Sequence, residues 1–226
     1  MKGLLIKDLK IIAEQKKFFI IAIVFAALFT WSGNDITFAA TYIILLTSML
    51  TLTTISYDEF NGGMTFLLTL PTSRKIYTKE KYVFAFINLF LACVFSILVC
   101  ALFAVAKGTT IEWDSLISTC AGSCLGMGLM LSVTIPLEFK FGAEKGRVAM
   151  ISAIVAITVV GVGIYKLLTE VLDINVNKLI ADVIAKLPAS GKGLEVLLVS
   201  VMAVALVLIL FISYLISNRI MKKKEF

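Results

Sequence analysis

From Tyr82 to Ala106 the chain carries no Asp, Glu, Lys or Arg. A helix of about 20 apolar residues crosses the ~30 Å hydrocarbon core of a bilayer, so this stretch alone is long enough to span one. Comparable runs recur, and together they predict six transmembrane helices at roughly 18–32, 37–56, 82–106, 115–136, 148–168 and 193–217. The first is short for a full crossing and must borrow flanking residues or tilt little. Of the 226 residues, 60% are hydrophobic and 16% charged, against ~25% charged in a soluble domain. The expectation is an all-α membrane protein forming one transmembrane domain over 1–226, with no room for a separate soluble unit.

Several chemistries are disfavoured by what the spans lack. There is no His, the usual proton shuttle and metal ligand. Cys93, Cys100, Cys120 and Cys124 all fall in apolar runs without a CxxC pair, which argues against zinc or redox work. Glu195, near the start of the sixth, and Lys166, near the end of the fifth, are the only ionisable carboxyl or basic residues inside the predicted spans. Ion-coupled transporters need such groups near the midplane, and an intramembrane hydrolase or transferase needs an acid/base or nucleophile–base pair. No G-x-x-x-x-G-K-[ST] phosphate cradle occurs either. Uphill transport would therefore draw its energy from a partner. A secondary transporter or channel and a non-transporting scaffold or sensor are the rival readings, with an intramembrane enzyme more distant.

Basic residues indicate the orientation. Lys2, Lys7, Lys10, Lys16 and Lys17 precede the first span. Arg74, Lys75, Lys79 and Lys81 follow the second, Lys140, Lys145 and Arg147 the fourth, and Arg219, Lys222, Lys223 and Lys224 the last. These are most of the 21 basic residues, and the positive-inside rule puts them, with both termini, in the cytoplasm. The net charge of +6 is thereby a topological and lipid-facing signal and calls for no nucleic acid. The arm 1–17 is too charged for a signal peptide. On a helical projection Lys7, Lys10, Glu14 and Lys17 share one face opposite Leu5, Leu9, Ile12 and Ala13, the pattern of a helix lying in the membrane interface. With no Pro or Gly between Gly3 and Gly33, it is expected to bend directly into the first span.

The loop 57–81 is the densest polar interruption. Tyr57-Asp58-Glu59-Phe60 leaves the second span, Asn61-Gly62-Gly63 permits a tight turn, and Met64 to Leu70 forms an apolar ridge. Pro71 stops that ridge, and Thr72-Ser73 is placed to cap a helix starting near Arg74. A short helix with apolar and charged faces suits docking into a groove on a soluble partner. Between the last two spans, 169–192 reads as an external amphipathic helix. Leu179, Ile180, Val183, Ile184 and Leu187 recur at helical spacing, and Pro188 and Gly191 end it. Gly122, Gly126 and Gly128 give the fourth span a small face for close packing, within the subunit first and for dimerisation second.

Two stretches carry a family resemblance. Asp58, Glu59 and Gly63, then Leu68, Leu70, Pro71, Ser73 and Arg74, then Lys81 before the next span, resemble the coupling loop of type-2 ATP-binding-cassette (ABC) permeases. IPLEFKFGAEKGR, with Glu138, Lys140, Glu144, Lys145 and Arg147, resembles their second cytoplasmic loop. The resemblance implies two six-span subunits, identical or similar, working with two ABC ATPase subunits as a bacterial cell-membrane exporter. ATP and Mg would belong to the ATPases, this chain holding no cofactor and no catalytic or metal site. It also implies that Tyr57, Asp58, Glu59, Gly63, Leu70, Pro71, Ser73, Arg74 and Lys81 transmit the ATPase motion, with Glu59 and Arg74 as ion-pair candidates. The 169–192 insertion would be a partial re-entrant helix roofing the exit, or an interfacial helix that only stabilises its neighbours. Charge-free walls fit a hydrophobic or amphipathic cargo, with an antimicrobial or cytolytic peptide as the first expectation. Phe25, Phe29, Trp31, Phe84, Phe86, Phe90 and Phe95 would line its path or else face lipid or neighbouring helices.

Overall fold

The computed structural model describes residues 1–31, 36–60, 63–69, 72–108, 112–167, 169 and 192–224. Seven helices account for them: α1 (Lys2–Glu14), α2 (Lys16–Trp31), α3 (Ile36–Glu59), α4 (Gly63–Thr69), α5 (Arg74–Lys107), α6 (Trp113–Lys166) and α7 (Lys192–Lys223). Among the described residues there is no strand. The external helix expected over 169–192 lies almost wholly outside the described residues, as do Leu70 and Pro71.

Only Gln15 separates α1 from α2. Its N–H still reaches the Ile12 carbonyl and its own carbonyl accepts from Phe18, so the arm passes into α2 through a single-residue joint. The 34 residues of α5 measure about 51 Å, far beyond a ~30 Å hydrocarbon core. Its first turns therefore project past the apolar stretch. Ser73 caps that projecting end, accepting from the Ile76 N–H at 3.3 Å, as the sequence predicted. Gly108 closes the other end at φ 67, a left-handed cap that glycine adopts without strain.

The fourth predicted span was expected to stop at Pro136; instead the helix runs on to Gly142 (φ 80, ψ 168). Proline cannot donate to the carbonyl four residues earlier, here that of Ser132. Ser213 of α7 donates to that carbonyl at 2.5 Å, and a neighbouring helix thus satisfies the group proline leaves open. At Gly142 the chain turns back. A Cβ on Gly146 would lie 3.2 Å from the Glu138 Cα, although eight residues of straight helix separate Cα atoms by about 12 Å.

α3 lies at the centre, against α2, α5 and α6, while α7 packs on α6 and α5. Its small residues Ala39, Ala40 and Ser48 and its Ile43 and Ile44 are buried. Asn88 of α5 is buried against it, donating to the Thr47 carbonyl at 2.8 Å and the Thr51 hydroxyl at 3.0 Å. Outward faces carry Leu98, Leu102 and Val105 of α5 and Val204, Leu208 and Phe211 of α7, all exposed, an apolar exterior that water does not favour. Four segments are long and apolar enough to cross a membrane: Ile36–Glu59, Arg74–Lys107, Trp113–Gly142 and Ser200–Lys223. The first predicted span coincides with α2, whose 16 residues reach about 24 Å. The fifth coincides with the returning half of α6.

Candidate functional site

The polar loops converge at one end of the bundle. Gly63 opens α4 beneath the end of α3, where a Cβ would stand 2.8 Å from the Asp58 carbonyl oxygen; only glycine fits so close to backbone. α4 then buries Met64 inward and leaves Phe66 exposed. Thr72 ties the following turn back by donating to the Leu67 carbonyl at 2.8 Å.

Beneath α4 lies a buried charge cluster joining α1, α3 and α5. The Lys81 ammonium, 0% exposed, lies 2.5 Å from Asp8 Oδ2 and 2.8 Å from Asp58 Oδ2 and donates to the Thr54 hydroxyl at 3.2 Å. Its three donors are thus matched by three acceptors. Tyr77 donates to Asp58 Oδ2 at 3.0 Å, and Lys7 donates to Asp58 Oδ1. Burial by itself would lower the Lys7 pKa, but the hydrogen bond and charge of Asp58 and the charge of Asp8 raise it above its ordinary value. Asp58 and Lys81, read in the sequence as part of a docking loop, are spent on this internal knot. Asp8 drew no attention in the sequence. The signal was there: it interrupts the stripe Leu4, Asp8, Ile12, whose first two members are buried.

A second layer sits at the surface. Lys224 pairs with Glu59 at 2.7 Å. Arg74 donates to the carbonyls of Met221, Lys222 and Lys224 at 3.1, 3.2 and 2.9 Å, capping the end of α7 with positive charge. A Cβ on Gly142 would come 3.2 Å from Glu59 Oε2, so the turn between the two halves of α6 abuts the end of α3. Glu59, Met64, Thr65, Lys140, Phe141, Gly142 and Lys224 enclose a pocket of about 310 Å³. The two stretches singled out in the sequence, 57–81 and 135–147, thereby meet. Ser73 caps α5, Glu138 is buried, Lys140 and Lys145 are exposed, and the side chains of Glu144 and Arg147 lie outside the description. Tyr57 and Phe60 are exposed.

Along the apolar part of the bundle, α5, α6 and α7 leave an open cavity of about 600 Å³. Phe86 and Phe90 line it together with Ala121, Gly128, Ala203 and Leu206. Phe84 points into the core and Phe95 packs on Phe19. Gly128 is indeed a packing glycine, its missing Cβ 2.9 Å from Leu206, whereas Gly122 and Gly126 meet nothing within 4 Å. At the charged end Tyr82 contacts the Ser213 and Ser217 hydroxyls at 2.6 and 2.8 Å. Ser213 gives its proton to Ser132, so Tyr82 donates to Ser213 and accepts from Ser217. The thiols of Cys93, Cys120 and Cys124 border the cavity. Among the described residues no three His, Cys, Asp or Glu side chains are placed to hold a metal ion.

The sequence model of the family described as "ABC-2 family transporter protein" matches residues 3–222. Neither curated proteins nor solved structures yield a match. The match takes in the charge cluster, both polar loops and all but the outermost residues of the described helices. The chain therefore belongs to the ABC-2 transporter family, as a membrane permease subunit whose partner is an ABC ATPase.

Proposed function

We propose that the chain is the membrane half of an ATP-driven exporter in a bacterial cytoplasmic membrane. It pairs with a second, identical or similar, permease subunit and with two ATPase subunits. It crosses the bilayer six times with both termini in the cytoplasm, 1–17 lying in the interface and 169–192 outside. The ATPase docks on α4 and on the rim of the 310 Å³ pocket. The observation that carries this reading is the exposure of Phe66 (67%) and Phe60 (71%) next in sequence to Thr65 and Glu59, which line the pocket. Exposed aromatics next to a built recess are the usual anchors of a protein interface.

The charge cluster below gives the docking surface a rigid mount. A push on α4 reaches α3 through Gly63 and α5 through Ser73, and the knot at Asp58 and Lys81 obliges both to move with α1. The cavity between α5, α6 and α7 supports a hydrophobic or amphipathic cargo, a peptide in the simplest case, since its wall offers such a molecule almost no polar partner.

Phe66→Asp tests the docking reading, in the chain co-expressed with its partner ABC ATPase. ATPase affinity, and permease-dependent stimulation of ATP hydrolysis, should fall about thirtyfold, the effect of losing a ~2 kcal/mol hot spot. Wild-type complex formation and stimulation would reject the assignment.

A further inference from the structure

The knot at α1, α3 and α5 does not balance in charge. Lys7 and Lys81 bring two positive charges, whereas Asp8, Asp58 and Glu80 are three carboxyls. Glu80 sits on α5 just before the charge-free stretch that begins at Tyr82, and it is 0% exposed. Neither of its carboxyl oxygens has a hydrogen-bond partner, and neither does Asp8 Oδ1. Lys7 lies 3.2 Å from that Asp8 oxygen but donates to Asp58. The charged groups that face Glu80 are Lys81 of its own helix and Asp8 and Lys7 of α1. Asp58 of α3, held by Lys7, Lys81 and Tyr77, completes the cluster.

An ionised carboxylate buried without protein donors is among the costliest groups a protein can hold. One proton removes the difficulty. A neutral Glu80 gains an O–H donor, Asp8 Oδ1 has acceptor capacity to take it, and the cluster becomes neutral with two positive and two negative charges. A metal cation is a poor substitute, because the Lys81 ammonium already stands 2.5 Å from Asp8 Oδ2 and Lys7 3.2 Å from Oδ1.

We propose that Asp8 and Glu80 form a proton-binding carboxyl pair, in which Glu80 keeps one proton and donates it to Asp8 Oδ1, and that losing this proton releases α1. An unfolded glutamate gives up its proton at about pH 4.3. A folded chain that retains it therefore has its α1 docking complete in acid and progressively weakened as pH rises and Glu80 ionises. The third negative charge then opposes Asp8 and Asp58, and the helix that must yield is the one outside the bundle, α1. The reading does not depend on the cargo or on the ATPase.

The test uses the full chain in lipid nanodiscs. Infrared spectroscopy at pH 7 should show a protonated carboxyl C=O band that Glu80→Gln removes and Glu14→Gln, at an exposed position, leaves in place. Amide hydrogen exchange over residues 2–14 should match between wild type and Glu80→Gln in mild acid. At alkaline pH wild type should exchange about tenfold faster than Glu80→Gln, one pH unit of linkage, because glutamine is neutral throughout and fits the same space. Three results would overturn the proposal: no such band in wild type at pH 7, a band that survives in Glu80→Gln, or α1 exchange following the same pH course in both. The wild-type series needs no substitution, so poor folding of the variant cannot hide a negative answer.

Discussion

α5 takes part in two very different environments. Its first turns, at Tyr77, Glu80 and Lys81, sit in a closed polar knot where almost every donor has an assigned acceptor. From Ala85 to Cys93 the same helix walls an open cavity whose lining is almost wholly apolar. In the knot, complementary charge dictates one arrangement, because any displacement leaves an ion unpaired in a dry interior. In the cavity, small side chains such as Ala121 and Ala203 keep space open, and no contact specifies an occupant. A permease has use for both: a stiff end to be pushed and a yielding wall along which an apolar molecule slides.

Lys81→Met should expose the difference most sharply. It strands Asp8 and Asp58, and breaking a buried pair costs about 3–5 kcal/mol. Thermal unfolding in detergent should show it as a large loss; a change under 1 kcal/mol would mean the knot is not a rigid mount. At the floor of the cavity the stakes are lower. Ser213→Ala removes the donor to the carbonyl freed by Pro136 and the acceptor for Tyr82, which predicts a loss of about 1–3 kcal/mol. A neutral result would show that water serves both groups. Ala203→Phe fills open space and should shift stability least, by about 0.5 kcal/mol or less, while reducing cargo transport in reconstituted vesicles. Transport at the wild-type rate would detach the cavity from the cargo path.

Much of this plan is legible in the residues. The charge-free run from Tyr82 to Ala106 became the apolar body of α5, Ser73 its cap, and Gly63 the start of α4, because each depends on neighbours a few residues away. Pro136 lies within α6 for a reason that local sequence does not show: α7 supplies Ser213 to the carbonyl that proline leaves open, and the helix continues to Gly142. Asp58 and Lys81 looked like surface charges because a sequence does not show that Asp8, some fifty residues from one and seventy from the other, would arrive between them.

Apolar periodicity and turn chemistry act over one or two helical turns, and they determined by themselves that this chain makes long helices suited to a membrane with polar loops gathered between them. Which of those polar groups face outward and which are locked inside was decided only by packing. Pairing of Lys81 with Asp8 and Asp58, the meeting of Glu59 with Gly142 and the capping of α7 by Arg74 all join residues far apart in the chain. A buried charge is tolerable only where its counter-charge is delivered to it, and that delivery is a property of the assembled bundle.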